Sequence, residues 1–149
     1  NYLYIGFIKK ALPHAKIIDL TREPLDACYA IYKTMFYQVY NFSYDQKELA
    51  NYFNAYREVM AMWREVCGDG MLTLAYEALV TDTEQQARAL LEHCGLAWQD
   101  EVLAFHAQDH ASTTASAAQV RQPVHSQSVG KAKHYAEQLR TMQSILQAE

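Results

Sequence analysis

A chain of 149 residues, 50% of them hydrophobic, is long enough for one folded domain and too apolar for a disordered tail. Its formal net charge of −4 argues against a general nucleic-acid binder, so an anion-binding site would have to be local. No apolar run reaches membrane-spanning length, and three widely spaced cysteines favour a reducing compartment. We therefore expect a cytoplasmic protein without a membrane partner.

The first part of the chain predicts a helix, a short strand and a second helix. Residues 1–12 have apolar positions at loosely helical spacing. An apolar run of strand type follows, and we expect a strand within 15–21. Pro24 suits a first helical position and Asp26 suits the first turn, so a helix should begin there and continue to about Asn41.

The middle of the chain predicts a long helix, a second strand and a further helix. Residues 43–46 match a capping box, with the serine as N-cap, and the helix that follows should end at 68–70. We expect a strand within 71–76 and then a helix from a second capping box at 81–84 to Gly95. Two strands separated by long helices, with no hairpin signal between them, predict a parallel sheet in a helix-rich α/β fold.

The last third of the chain differs from the rest in composition and charge. Residues 111–118 are small and polar and predict a loop. The range from 110 to 136 lacks acidic residues but contains three cations: Arg121, Lys131 and Lys133. This local positive charge suits a loop that binds an anion, and a solvated linker is the alternative. Helical spacing returns at 132–145, which favours a segment that packs back onto the domain.

Arg22 stands at the junction between the first strand and the helix that follows. A helix N-terminus presents free N–H groups, and an adjacent guanidinium adds a bidentate fork that fits phosphate. The alternative for Arg22 is an ion pair with a nearby carboxylate of Asp19, Glu23 or Asp26. This stretch alone leaves both interpretations open.

Two other groups of side chains, a pair of histidines and a set of aromatic residues, do not indicate a second binding site. His106 and His110 lack a third ligand nearby in sequence, so we expect no metal ion. The aromatic residues between Tyr29 and Tyr56 should lie in the core or form the contact face for the rest of the domain. Where they are exposed, they should drive association with a second copy or aggregation.

Three stretches occur in an order and spacing typical of one family: AKIIDLTREPLD at 15–26, YEALV at 76–80 and SAAQVRQPVHSQSVGK at 116–131. Together they resemble the sulfotransferases that use 3′-phosphoadenosine 5′-phosphosulfate. The likeness is greatest to the bacterial enzymes linked to tetratricopeptide repeats, and next to the tyrosylprotein sulfotransferases. The resemblance implies a helix-rich part of a P-loop-NTPase-like α/β domain.

The resemblance also implies a set of residues that contact the nucleotide. Arg22 is similar to the family arginine that binds the 3′-phosphate of the donor. Tyr76 is similar to the tyrosine that lies against the adenine, where stacking is worth about 1–3 kcal/mol per base. Residues 108–131 resemble the loop that covers the nucleotide, and Ser116, Gln119 and Lys131 match it. Gln122 stands where the tyrosylprotein enzymes have a lysine, and the neighbouring Arg121 is expected to substitute for that lysine.

Two further positions depart from the family pattern. Ala30 stands eight residues after Arg22, where the family usually has a serine whose hydroxyl also binds the 3′-phosphate. A hydrogen bond to a charged group is worth about 1.5–3 kcal/mol, so its loss would weaken binding roughly ten- to a hundredfold. Ala132 replaces the tryptophan that commonly follows the Gly-Lys or Gly-Arg step.

In the mechanism that the resemblance implies, an acceptor hydroxyl or amine attacks the sulfur in line while a base takes its proton. Positive groups stabilise the departing adenosine 3′,5′-bisphosphate, and no metal is involved. The family's phosphosulfate-binding loop and base precede the stretches matched here. Residues 1–149 are therefore expected to be the C-terminal part of a single sulfotransferase domain, inactive alone and with an unidentified acceptor. The alternative is a non-catalytic nucleotide-binding or helical interaction module.

Overall fold

A computed structural model of the protein describes residues 1–37, 39–104 and 122–147. Its α-helices are α1 (Ile5–Ala11), α2 (Pro24–Tyr32), α3 (Gln46–Cys67), α4 (Tyr76–Thr81), α5 (Thr83–Cys94) and α6 (Arg140–Leu146). Its strands are β1 (Ile17–Thr21) and β2 (Met71–Ala75). Short 3₁₀ turns cover Tyr2–Tyr4, Asn41–Tyr44, Gly68–Gly70, Asp100–Val102 and Lys131–Tyr135.

The two strands pair in parallel, in register along their whole length. They are joined through α2 and α3, because parallel neighbours require a long crossover connection. This arrangement confirms the predicted helix-rich α/β fold with a parallel sheet. The second strand is one residue shorter than predicted, since Tyr76 begins α4.

The described residues bury two apolar clusters, both of which include α3. The larger cluster joins α2, α3, α6 and the Lys131–Tyr135 turn through Cys28, Leu49, Ala50, Ala132, Leu139, Met142 and Leu146. The smaller one joins Ile5, Met60 and Met71. The end of the described chain therefore packs back onto α2 and α3, as its helical spacing predicted.

The prediction that α2 extends to about Asn41 is wrong, because the helix ends at Tyr32. Met35, Phe36 and Val39 continue the apolar spacing, but Met35 and Val39 are 71% and 70% exposed and Phe36 is only half-buried. Most helical stability in proteins comes from packing an apolar face, and no such face is buried here. Tyr37 moreover has a φ of 56°, which lies outside the right-handed helical region.

Both predicted capping boxes are wrong in detail, because aspartates cap the helices instead. Asp45 caps α3 by accepting hydrogen bonds from two first-turn amides at 2.8 and 2.9 Å. Asp82 caps α5 by accepting from the Gln85 amide at 3.1 Å. A carboxylate gains from the helix dipole as well as from the hydrogen bonds, an advantage that the predicted Ser43 and Thr81 caps lack.

The aromatic residues that follow α2 divide between core and surface. Phe53 packs against the larger cluster, and the rings of Phe42 and Tyr52 stack with centroids 4.0 Å apart. Tyr37 and Tyr40 are exposed. Association of two copies through the exposed aromatic residues stays a prediction.

The remaining elements differ from their predictions in smaller ways. The sequence from Trp98 to Phe105 also favours a short helix, whereas the described part of it, 98–104, contains only a 3₁₀ turn over Asp100–Val102. His106 and His110 lie outside the described residues. Within the described ranges, no group of His, Cys, Asp and Glu side chains is placed to hold a metal ion. No helix in those ranges has the length and apolar character that crossing a membrane requires.

Candidate nucleotide site

Arg22 contacts three separate parts of the chain. Its guanidinium carbon lies over the Tyr76 ring, 5.0 Å from the ring centroid. Its Nη2 donates a hydrogen bond to the Ser128 carbonyl and lies 4.0 Å from Oδ2 of Asp26. Its Nε is buried and finds no hydrogen-bond partner among the described residues. Arg22 thus has a loose ion pair with Asp26, as one interpretation of the sequence has it. It also has an unused donor, which the other interpretation, phosphate binding, requires.

The register of the sheet explains why Arg22 and Tyr76 are neighbours. Thr21 and Ala75 form the last pair of the two strands. Arg22 and Tyr76 each follow directly, so they leave the same edge of a parallel sheet side by side. The carboxyl ends of parallel strands are where α/β proteins commonly bind ligands.

Asp26 is central to this junction, although its position in the sequence indicates only a first-turn carboxylate and an ion-pair partner for Arg22. Its side chain is buried, with 2% exposure. Oδ1 accepts a hydrogen bond from the Ala132 amide at 2.8 Å, and Oδ2 accepts one from the Gly130 amide. The only sequence signal for this role is its position four residues after Arg22, because its partners are 104 and 106 residues away.

The Gly130-Lys131 step predicts anion binding, and in the structure the backbone there binds the carboxylate of Asp26. Gly130 is left-handed, with φ of 71°, and the 3₁₀ turn that follows is right-handed. Backbone amides in such a sequence converge on an anion, and here the Gly130 and Ala132 amides bind the Asp26 carboxylate. The Lys131 side chain is exposed, and within the described ranges its ammonium group has no hydrogen bond or ion pair. Ala132 is buried in the larger cluster.

The structure therefore brings Arg22, Tyr76 and the backbone around Lys131 together. Ala30 lies one turn after Asp26 on the same side of α2. Most of the 108–131 loop lies outside the described residues, including Ser116, Gln119 and Arg121.

A cavity of about 200 Å³ adjoins Arg22 on the side of α3. Its lining includes Leu20, Arg22, Phe53, Tyr56, Arg57 and Arg64. Beside it, Arg64 donates to the buried Asp19 carboxylate at 2.7 Å. Burial and the Asp19 charge raise the pKa of Tyr56 above its ordinary value. Neither Tyr76 nor Lys131 lines this cavity, so the contacts of Arg22 with Tyr76 and Ser128 lie outside it.

Fold and site together define an α/β protein with a cationic junction at the carboxyl ends of parallel strands. A sequence model described as "Sulfotransferase family" matches residues 1–100. This chain belongs to the sulfotransferase family. The matched range contains Arg22, Asp26 and Tyr76 and ends before the loop at 108–131.

The chain is also similar to an uncharacterized protein of Aquifex aeolicus (strain VF5), with 32% identity over 150 residues. The similarity covers 99% of this chain and 20% of that protein. The chain thus spans about a fifth of the length of this relative. The tetratricopeptide-linked subfamily and the position of residues 1–149 within a sulfotransferase domain stay predictions.

Proposed function

We propose that this chain binds the 3′-phosphate and adenine of 3′-phosphoadenosine 5′-phosphosulfate as part of a sulfotransferase. The observation that carries the proposal is the Arg22 guanidinium, which lies over the Tyr76 ring and contacts the Ser128 carbonyl. In a chain of the sulfotransferase family, these contacts join the three stretches to which the resemblance gives nucleotide-binding roles.

The residues present fit a phosphate group. A guanidinium offers five N–H donors, and the buried Nε of Arg22 has no described partner. Lys131 adds an exposed ammonium group whose neighbouring amides are fixed to Asp26. In a chain of net charge −4, such cations make a local site rather than a general attraction for anions.

The adenine is assigned to the face of the Tyr76 ring opposite the Arg22 guanidinium, which lies over the other face. Ser116, Gln119 and Arg121 are proposed, from the resemblance, to complete the nucleotide contacts within the 108–131 loop. Their hydroxyl, amide and guanidinium groups are suitable donors to phosphate oxygens.

The donor supplies the sulfuryl group, which passes to an acceptor hydroxyl or amine. The acceptor atom forms a bond to sulfur while the bond from sulfur to the 5′-phosphate oxygen breaks, and the acceptor proton passes to a base. Adenosine 3′,5′-bisphosphate leaves. We assign this chain only the binding of the nucleotide end, so we expect no sulfuryl transfer by residues 1–149 alone.

Calorimetry with three nucleotides tests this assignment. Adenosine 3′,5′-bisphosphate and adenosine 3′-monophosphate should bind with similar affinity. Adenosine 5′-monophosphate should bind roughly ten- to a hundredfold more weakly, because it lacks the phosphate that would bind Arg22. Arg22→Ala and Lys131→Ala should each weaken binding of the 3′-monophosphate.

Arg88→Ala is the matched control. The Arg88 guanidinium also lies over an aromatic ring, 3.8 Å from the centroid of Trp98, and pairs with Glu84. Its loss removes a comparable contact elsewhere and should leave nucleotide affinity unchanged. Equal affinity for the two monophosphates, no binding at millimolar ligand, or equal effects of the two arginine substitutions would overturn the proposal. The first result would favour a general nucleotide-binding module and the second a helical interaction module.

A further inference from the structure

The Asp26 carboxylate joins the beginning of α2 to the far end of the described chain. Both of its oxygens accept backbone amides, from Gly130 and Ala132, and these amides flank Lys131. Oδ2 also lies 4.0 Å from Nη2 of Arg22. One buried carboxylate therefore connects the two cations that the proposed function places on the 3′-phosphate.

We infer, building on the proposed function, that Asp26 is a positioning residue that holds Lys131 beside Arg22 for the incoming phosphate. The side chain itself has no role in binding the anion, because its negative charge would oppose one. It acts through the backbone of the 130–132 turn. Nothing in the family match alone assigns it this role.

The distances separate this role from that of a simple counterion. The approach of Arg22 to Asp26 at 4.0 Å is longer than a hydrogen bond, whereas the Ala132 amide is 2.8 Å away. Asp26 is thus bound more directly to the turn than to the guanidinium. Arg22 consequently keeps its buried Nε donor, which has no partner among the described residues, for a ligand.

The turn needs an anion to keep its shape. Left-handed Gly130 and the right-handed turn after it point the Gly130 and Ala132 amides inward, and these amides require an acceptor when buried. Asp26 supplies that acceptor from within the chain. The ligand is therefore left to the exposed Lys131 side chain and not to the amides of the turn.

A double-mutant cycle tests whether Asp26 acts through Lys131. Asp26→Asn keeps the size of the side chain but places an NH₂ group against a backbone N–H. We expect it to weaken binding of adenosine 3′-monophosphate roughly tenfold, and Lys131→Ala to add little once Asp26 is replaced. Independent structural damage would instead make the two effects additive.

Asp45→Ala is the matched control, because Asp45 also accepts two backbone amides, at the start of α3. It should lower stability without changing nucleotide affinity. Amide hydrogen exchange without ligand supplies a second measurement. The Gly130 and Ala132 amides should exchange faster in Asp26→Asn than in the wild-type chain, and at the wild-type rate in Asp45→Ala.

Additive effects of Asp26→Asn and Lys131→Ala would overturn the inference, as would wild-type affinity in Asp26→Asn or unchanged exchange of the two amides. A wild-type chain that binds no nucleotide would overturn the proposed function and the positioning role with it. The exchange rates would in that case still show whether Asp26 holds the turn, so the two failures are distinguishable.

Discussion

Replacing Gly130 with alanine measures how much a β-carbon in the left-handed turn lowers the free energy of unfolding. It also tests whether the turn keeps its conformation and its hydrogen bonds to Asp26. Gly130 has φ of 71°, a conformation in which a β-carbon costs about 1–2 kcal/mol. A β-carbon built there would lie 3.8 Å from Cδ of Lys133, which is an ordinary van der Waals contact. Backbone strain is therefore the main expected cost, and the Gly130 amide should keep its hydrogen bond to Asp26.

Gly95 provides a control with the same backbone. Its φ is also 71°, and no atom lies within 4 Å of a β-carbon placed on it. We expect Gly130→Ala and Gly95→Ala each to lower the free energy of unfolding by about 1–2 kcal/mol. Because neither β-carbon meets an obstacle, the two losses should agree within about 0.5 kcal/mol.

Urea unfolding of the two variants and the wild-type chain, followed by circular dichroism, measures this difference. An excess loss at Gly130 of more than about 1 kcal/mol would mean that the turn abandons its conformation and at least one hydrogen bond to Asp26. No loss at either position would refute the assumption that the left-handed backbone is strained with a β-carbon.

Three further expectations concern affinity, pH dependence and thiol reactivity. Ala30→Ser restores a hydroxyl one turn after Asp26 and should tighten binding of adenosine 3′-monophosphate roughly ten- to a hundredfold by calorimetry, whereas Ala61→Ser on the exposed side of α3 should not. A hydrogen bond with the Tyr2 hydroxyl at 2.8 Å, followed by burial, raises the pKa of Tyr52 to about 12. The resulting stability is present in full below about pH 10, the ordinary pKa, and is lost as the pH rises towards 12. Tyr2→Phe should return the Tyr52 titration, followed by phenolate absorbance, towards its ordinary range. Burial, and then the Glu23 charge, raise the pKa of the Cys28 thiol to about 12. At neutral pH, alkylation should therefore modify Cys67 and Cys94 first and reach Cys28 only on unfolding.

The sheet and the approach of Arg22 to Tyr76 could be predicted because their signals are local. Each strand is a short apolar run, and helical spacing between the runs requires a parallel crossover. Once the strands are parallel, the residues that follow them leave the same edge. The sequence therefore predicted the neighbourhood of the site even though Tyr76 begins a helix and does not end a strand.

The errors arise where two local signals compete or where the deciding partner is distant in sequence. Ser43 and Thr81 match the capping pattern, but aspartates one or two residues later make better caps because they carry charge. The helix after Pro24 stops at Tyr32 because its continuing apolar pattern meets no packing surface. The role of Asp26 could not be read from its neighbours, since its two acceptor bonds reach the 130–132 turn.

The same long reach has a consequence for how the protein folds. The bond between Asp26 and Gly130 spans 104 residues, and that between Arg22 and Ser128 spans 106. Closing such a long loop lowers the conformational entropy of the chain before the contact becomes favourable. Such contacts therefore tend to form after local helices and neighbouring elements have assembled. Contacts formed after the folding barrier mainly slow unfolding. The contacts of Arg22 and Asp26 with residues 128–132 should therefore form late in folding. Weakening them should raise the unfolding rate more than it lowers the folding rate.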